Sequence, residues 1–218
     1  EFSFSRNYGS YVMENILFKI SYPAEFHAQT AVECAVVLYP EVKDKLNKIE
    51  RIEITTHESA LRIIDKTGVL DNPADRDHCM QYMLAVAMIQ GDLVADFYED
   101  SFHQQNPLID VLRDKMVLKE DKRYSKDYLD DDKRSIANAL QVFFKDGSQT
   151  DKVEVEYPVG HHHRRQEGIP FLERKFLNSL QSIYSKECCD KIYTLCLDQN
   201  KIEQTPVNEF MDMFVVKD

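Results

Sequence analysis

Lys19 sits in an otherwise apolar stretch, Ile16-Leu17-Phe18-Lys19-Ile20, and His27 follows just beyond Ser21-Tyr22-Pro23. A lysine in such a run is either an edge gatekeeper or a desolvated cation with a partner, and a substrate carboxylate is one such partner. A second group, His57-Glu58 with Arg62 and Lys66, stands just past a strand-like segment. Arg62 and Lys66 have i, i+4 spacing on a possible helix, and a pair of exposed cations is the plainer reading of them. A third group is Arg76, His78 and Tyr82. His78 and Tyr82 at i, i+4 would share a helical face, where they could bind a carboxylate or move a proton; a hydrogen-bonded core histidine is the plainer reading. The fourth is Gly160-His161-His162-His163-Arg164-Arg165. Five cationic or near-cationic side chains in a row make a local positive field, and Arg164 could grip a carboxylate with both arms. Three histidines also invite a metal, but adjacent side chains should diverge. Anion binding is therefore preferred to metal, with a solvated loop as the bland alternative.

The elements that must position these residues follow from periodicity. Ala24–Leu38 has helical spacing, bracketed by Pro23 and Pro40. Ile49–Thr56 alternates as a half-buried strand. Asn72-Pro73 is a good helix start, and the run to Ile89 becomes apolar nearly all round, as a buried helix does. Leu108–Met116 reads as a short amphipathic helix. Ala137–Tyr157 reads as a hairpin turned at Asp146-Gly147. After Gly160 the pattern is helical, with amphipathic runs at Ile169–Ile183, Cys188–Leu197 and Pro206–Phe214. Lys119–Arg134 alternates in charge sign, the mark of a solvated segment. The fold class is α+β, with a local antiparallel strand set rather than repeated βαβ units.

The 218 residues suffice for one large domain or two small ones. A net charge of −11 disfavours nucleic acid and anionic membrane surfaces, because the mean field repels phosphate. The longest apolar runs fall far short of the roughly 20 residues that span a bilayer. The five cysteines include no CxxC pair, so reduced thiols are expected rather than a zinc site. The first residues, Glu1-Phe2-Ser3-Phe4, read as a chain entered midway, not as a leader. No phosphate-binding glycine loop or common hydrolase motif is present, and no cofactor is expected.

The segments YGSYVMENILFKISYPAEFHAQTAVE, ITTHESALRIIDK, NPADRDHCMQYM, KRSIANALQVFFKDGS, VEYPVGHHHRRQEGIP and TPVNEFMD closely resemble the MmgE/PrpD family. The resemblance implies a small α+β lid domain over residues 1–160, with residues 161–218 returning to an all-α domain. It implies removal of water from 2-methylcitrate in the methylcitrate cycle of propionate breakdown, and activity on citrate or aconitate beside it. It also implies independence of an iron–sulfur cluster, and a small tricarboxylate as the partner of a homodimer without nucleic acid or membrane. The location would be the bacterial cytoplasm, or the mitochondrial matrix in a eukaryote. The alternatives are a cis-aconitate decarboxylase-like lyase and an inactive lid or dimerisation fragment. By resemblance, Lys19, His78 and Tyr82 would be catalytic and His27 would bind substrate; Arg62, Arg76, His161 and Arg164 are expected to bind its carboxylates as local cations, with no metal. Other catalytic residues would lie outside this chain, so that alone it would show little activity.

Overall fold

The structure, a computed structural model, describes residues 18–215. Glu1–Phe4, the apolar pair Ile16-Leu17 and the last three residues lie outside the described residues. The chain divides into two compact units, the first ending at Arg165 and the second beginning at Gln166.

The first unit is α+β. Its four strands are β1 (Ile49–Thr56), β2 (Met116–Glu120), β3 (Asn138–Phe144) and β4 (Val153–Val155), in spatial order β2-β1-β3-β4. Ile52, Ile54 and Thr56 are buried on one face of β1, as the alternation requires. A register shift between Ile49 and Arg51 also brings Ile49 inside. β3 runs antiparallel to both β1 and β4. The hairpin turns at Gly147, whose φ of +85° suits glycine.

The sheet is mixed rather than purely antiparallel. β2 pairs in parallel with β1, Ile54 opposite Leu118. Leu108–Met116 was expected to be all helix, but helix ends at Arg113 and β2 begins at Met116. A parallel neighbour needs a long crossover, which residues 57–115 supply as short helices.

Between β1 and β2 come α2 (Glu58–Ile64), α3 (Pro73–Asp77), α4 (Met80–Gln90), α5 (Asp100–Gln105) and α6 (Leu108–Arg113). α1 (Gln29–Val42) precedes β1, and α7 (Lys122–Leu129) follows β2. Pro40 does not stop α1: the helix runs two residues past it, because a proline in the last turn removes one bond near an end that frays anyway. α1 packs against α4, β3 and β4. α4 is apolar all round and buried from Met80 to Met88, as its sequence requires. It ends at Gly91, φ +75°, where a Cβ would lie 2.7 Å from the Tyr39 ring.

The second unit is helical: most of α8 (Arg165–Gln181), then α9 (Lys186–Leu197), α10 (Gln199–Gln204) and α11 (Val207–Asp212). Its core is Leu180, Cys189 and Ile192, with Phe176, Tyr184 and Phe214 packed around them. Among the described residues no helix is long and apolar enough to cross a membrane. All five cysteines carry unpaired thiols, and Cys34, Cys79 and Cys189 are buried.

Candidate active site in the first unit

Four side chains from three parts of the first unit meet around His27. Glu25 opens the short 3₁₀ turn Phe26–Ala28, and its carboxylate accepts from the His27 backbone N–H at 2.7 Å. The same carboxylate meets His27 Nδ1 at 2.9 Å. Burial alone would raise the Glu25 carboxyl, but its bonds to His27 outweigh that and hold it below the usual carboxylate range. A carboxylate at Nδ1 fixes the proton there and leaves the Nε2 lone pair outward. Nε2 accepts from the Tyr128 hydroxyl at 3.1 Å, Tyr128 standing half-buried on α7.

His57 closes the group. It is fully buried at the end of β1 and caps α2, with Nδ1 accepting the Ala60 N–H at 3.3 Å. The proton is thereby assigned to Nε2, which is buried without a partner among the described residues. Its ring stacks on Tyr128, centroids 4.6 Å apart, and lies 5.1 Å from His27. Burial, then repulsion by His27, brings the His57 pKa down to about 4, so the ring is neutral at ordinary pH.

The scaffold of this group is local. The Asn138 amide donates to the His27 carbonyl and to Thr30 Oγ1, each at 2.8 Å. Thr30 in turn donates to the Ile136 carbonyl. Strand β3 thus fixes the backbone that carries His27. Among the described residues Thr56 Oγ1, Ser135 Oγ and Asn138 Oδ1 are buried without partners, like His57 Nε2. Orphaned buried polar atoms of this kind are uncommon and mark places where a ligand or water is received.

The other residues singled out from sequence fall elsewhere. His78 and Tyr82 do not share a helical face: α3 ends at Asp77, and Cys79 is extended before α4 begins. His78 is exposed and bonded to Asp77 at 2.5 Å. Tyr82 is fully buried, donates to the Phe97 carbonyl at 2.6 Å, and burial pushes its phenol up to about 12. Arg76 is buried with its fork occupied by protein: the Tyr98 carbonyl and Asp100 at 2.6 Å each, and His103 at 3.2 Å. Arg62 is exposed on Glu58, and Lys66 lies past the end of α2, paired with Asp75, so the two are not neighbours on one helix. Lys19 is exposed on the extended strip beside Gly160, where the Phe18 N–H meets the Gly160 carbonyl at 3.3 Å.

Arg164 grips Glu33 with both arms at 2.9 Å and donates to the Tyr157 carbonyl at 2.6 Å. His161 is buried, its pKa lowered to about 4 by burial and then by its two histidine neighbours. The three imidazoles do not diverge: one ligand atom from each lies within 4.8 Å of the others.

Sequence reasoning grouped His57 with Glu58, Arg62 and Lys66 rather than with His27, and passed over Glu25 and Tyr128. The position of His57 at a strand end was the usable signal. Tyr128 had none, lying in a stretch whose alternating charge reads as solvated.

Residues 22–199 match the model of the MmgE/PrpD C-terminal domain. The chain is 51% identical to 2-methylcitrate dehydratase of Salmonella typhimurium over 99% of its own length, and 50% identical to that of Escherichia coli over the same share. It is also 50% identical, over all of its length, to the mitochondrial 2-methylcitrate dehydratase of Yarrowia lipolytica. It spans 45% of the two bacterial proteins and 42% of the yeast one. With a match over most of the chain carried by a single family model, the chain belongs to the MmgE/PrpD family.

Proposed function

We propose that this chain is the C-terminal portion of a hydro-lyase that removes water from 2-methylcitrate to give 2-methylaconitate. Half-identity along the whole chain to proteins named 2-methylcitrate dehydratase carries this reading. It favours the dehydratase over a decarboxylase-like lyase.

The group around His27 supplies a chemistry that suits such a reaction. Elimination beside a carboxylate needs a base for the carbon-bound proton, an acid for the departing hydroxide, and donors for the charge that develops. His27, with Nδ1 tied to Glu25 and Nε2 outward, is the base. Tyr128 is the hydroxyl that gives way to substrate and protonates the leaving oxygen. His57, neutral and carrying its proton on the unpartnered Nε2, donates to the substrate's carboxylate or enolate-like oxygen. Lys19, exposed on its strip, anchors a second carboxylate. The reaction runs on these side chains and on groups from the rest of the enzyme, without an iron–sulfur cluster. The small tricarboxylate is the only partner the chemistry needs, in a homodimeric protein of the cytoplasm or mitochondrial matrix.

The test is dehydration of 2-methylcitrate by the intact protein, followed as 2-methylaconitate, before and after iron chelation. Turnover that survives chelation supports the reading, and the 218-residue chain alone should show little. No turnover of 2-methylcitrate, with carbon dioxide released from cis-aconitate instead, contradicts it.

A further inference from the structure

His161, His162 and His163 are not used by the proton-transfer group, and their geometry is that of a ligand set. Their ring centroids are 4.0–5.1 Å apart, and one nitrogen of each lies within 4.8 Å of the others. A 3₁₀ turn over His162–Arg164 curls them together instead of alternating them.

Both ends of the turn are fixed. It starts from Gly160, φ +101°, packed so closely that a Cβ would lie 2.1 Å from the Phe18 carbonyl oxygen. It ends on Arg164, clamped by Glu33. His161 is buried. Its Nδ1 accepts the His163 N–H at 3.2 Å, a cap that holds the ring within the cluster and that an ion would displace from the lone pair. His162 and His163 are exposed and can rotate.

The local charge is less positive than the sequence suggests, although Arg165 still acts on His161 and His162. Arg164 is neutralised by Glu33, Arg134 pairs with Asp131 at 2.5 Å, and Arg165 lies over the Phe18 ring at 4.6 Å. Tyr157, whose ring is 4.6 Å from His161 and 4.7 Å from His163, feels the carboxylates of Glu156, Asp127 and Asp130.

We propose that His161, His162 and His163 form a binding site for a borderline divalent transition-metal ion, with Zn²⁺ as its simplest probe. Metal–nitrogen bonds of about 2.0–2.1 Å put tetrahedral ligand nitrogens about 3.3 Å apart. Rotations of the two exposed rings close that gap, and water completes the shell. An imidazole set favours Zn²⁺, Ni²⁺ or Cu²⁺ over Ca²⁺ or Mg²⁺, which prefer oxygen.

The experiment titrates the metal-stripped intact protein with ZnCl₂ against a chromophoric chelator, with CaCl₂ as control. The comparison is the double variant His162→Gln/His163→Gln, which leaves the buried His161 cap in place. One Zn²⁺ per chain should be lost or weakened by about tenfold or more in the variant. The parent alone should gain melting temperature with Zn²⁺, since an ion bound by the folded state stabilises it. Equal Zn²⁺ affinity and stoichiometry in parent and variant, or no uptake by the parent at about 100 μM, overturns the assignment.

Discussion

Glu25 holds His27 at two points, accepting from its backbone N–H at 2.7 Å and meeting its ring Nδ1 at 2.9 Å. One carboxylate thereby sets both where the imidazole stands and which nitrogen carries its proton. Both side chains are largely buried, so the pair is little screened by water.

Glu25→Gln keeps the shape but removes the charge. In the intact enzyme it should lower kcat by about 10- to 100-fold, the usual cost of removing a partner that orients a working imidazole. The loss should fall on kcat rather than KM, because the imidazole loses the group that fixes its position and tautomer. A kcat within about twofold of the parent's would show that Glu25 is only packing.

His57 makes the fold acid-sensitive in a definite window. Its folded pKa is about 4, against about 6.5 for an unperturbed histidine. Protons bind the unfolded chain first between those values, so the contribution is complete above about pH 6.5 and shrinks as pH falls toward 4. His57→Asn keeps a side-chain cap for α2 and removes the titration. Thermal melts from pH 7 to 4 should fall less steeply for this variant. Some slope should persist, because His161 is depressed in the same way. Superimposable slopes would contradict the assignment.

Gly160 and Gly147 both have positive φ, but in different surroundings. Alanine at Gly147 meets nothing within 4 Å and should cost about 1 kcal/mol for the backbone alone. Alanine at Gly160 runs into the Phe18 carbonyl at 2.1 Å and should cost at least about 2 kcal/mol. Melting temperatures of the two variants give the comparison directly, and equal losses would contradict it.

Arg164 and Glu33 form a two-armed pair, each side chain about one-fifth exposed (21% and 20%). Glu33→Gln should destabilise by about 2–3 kcal/mol, because it leaves a guanidinium short of its counter-ion. A double-mutant cycle with Arg164→Met should show coupling of at least about 1 kcal/mol. Additivity would mean that the two residues stabilise the turn independently.

The sequence was most informative where one period dominated. The alternation of Ile52 and Ile54, the Asp146-Gly147 turn and the nearly continuous apolar run of α4 all survive in the structure. Strand β2 did not announce itself, because this edge strand exposes Val117 and Lys119 and buries only Met116, so its alternation matches no amphipathic pattern. The pairing of His78 with Tyr82 failed because Cys79 leaves helical geometry between them, and one residue of break destroys an i, i+4 relation. Tyr128 was hidden for a different reason. Its role comes from contact with His27 across 101 positions of sequence, and no local pattern encodes such a contact.

The most direct test of the proton-transfer group is kcat/KM for dehydration of 2-methylcitrate by the intact protein and its His27→Ala variant. Both are measured at pH 7, with circular dichroism to confirm that the variant is folded. Loss of the base should reduce kcat/KM by about 10³-fold or more, the range general-base catalysis supplies. A folded variant that keeps its rate within about tenfold would contradict the assignment of His27 as the base.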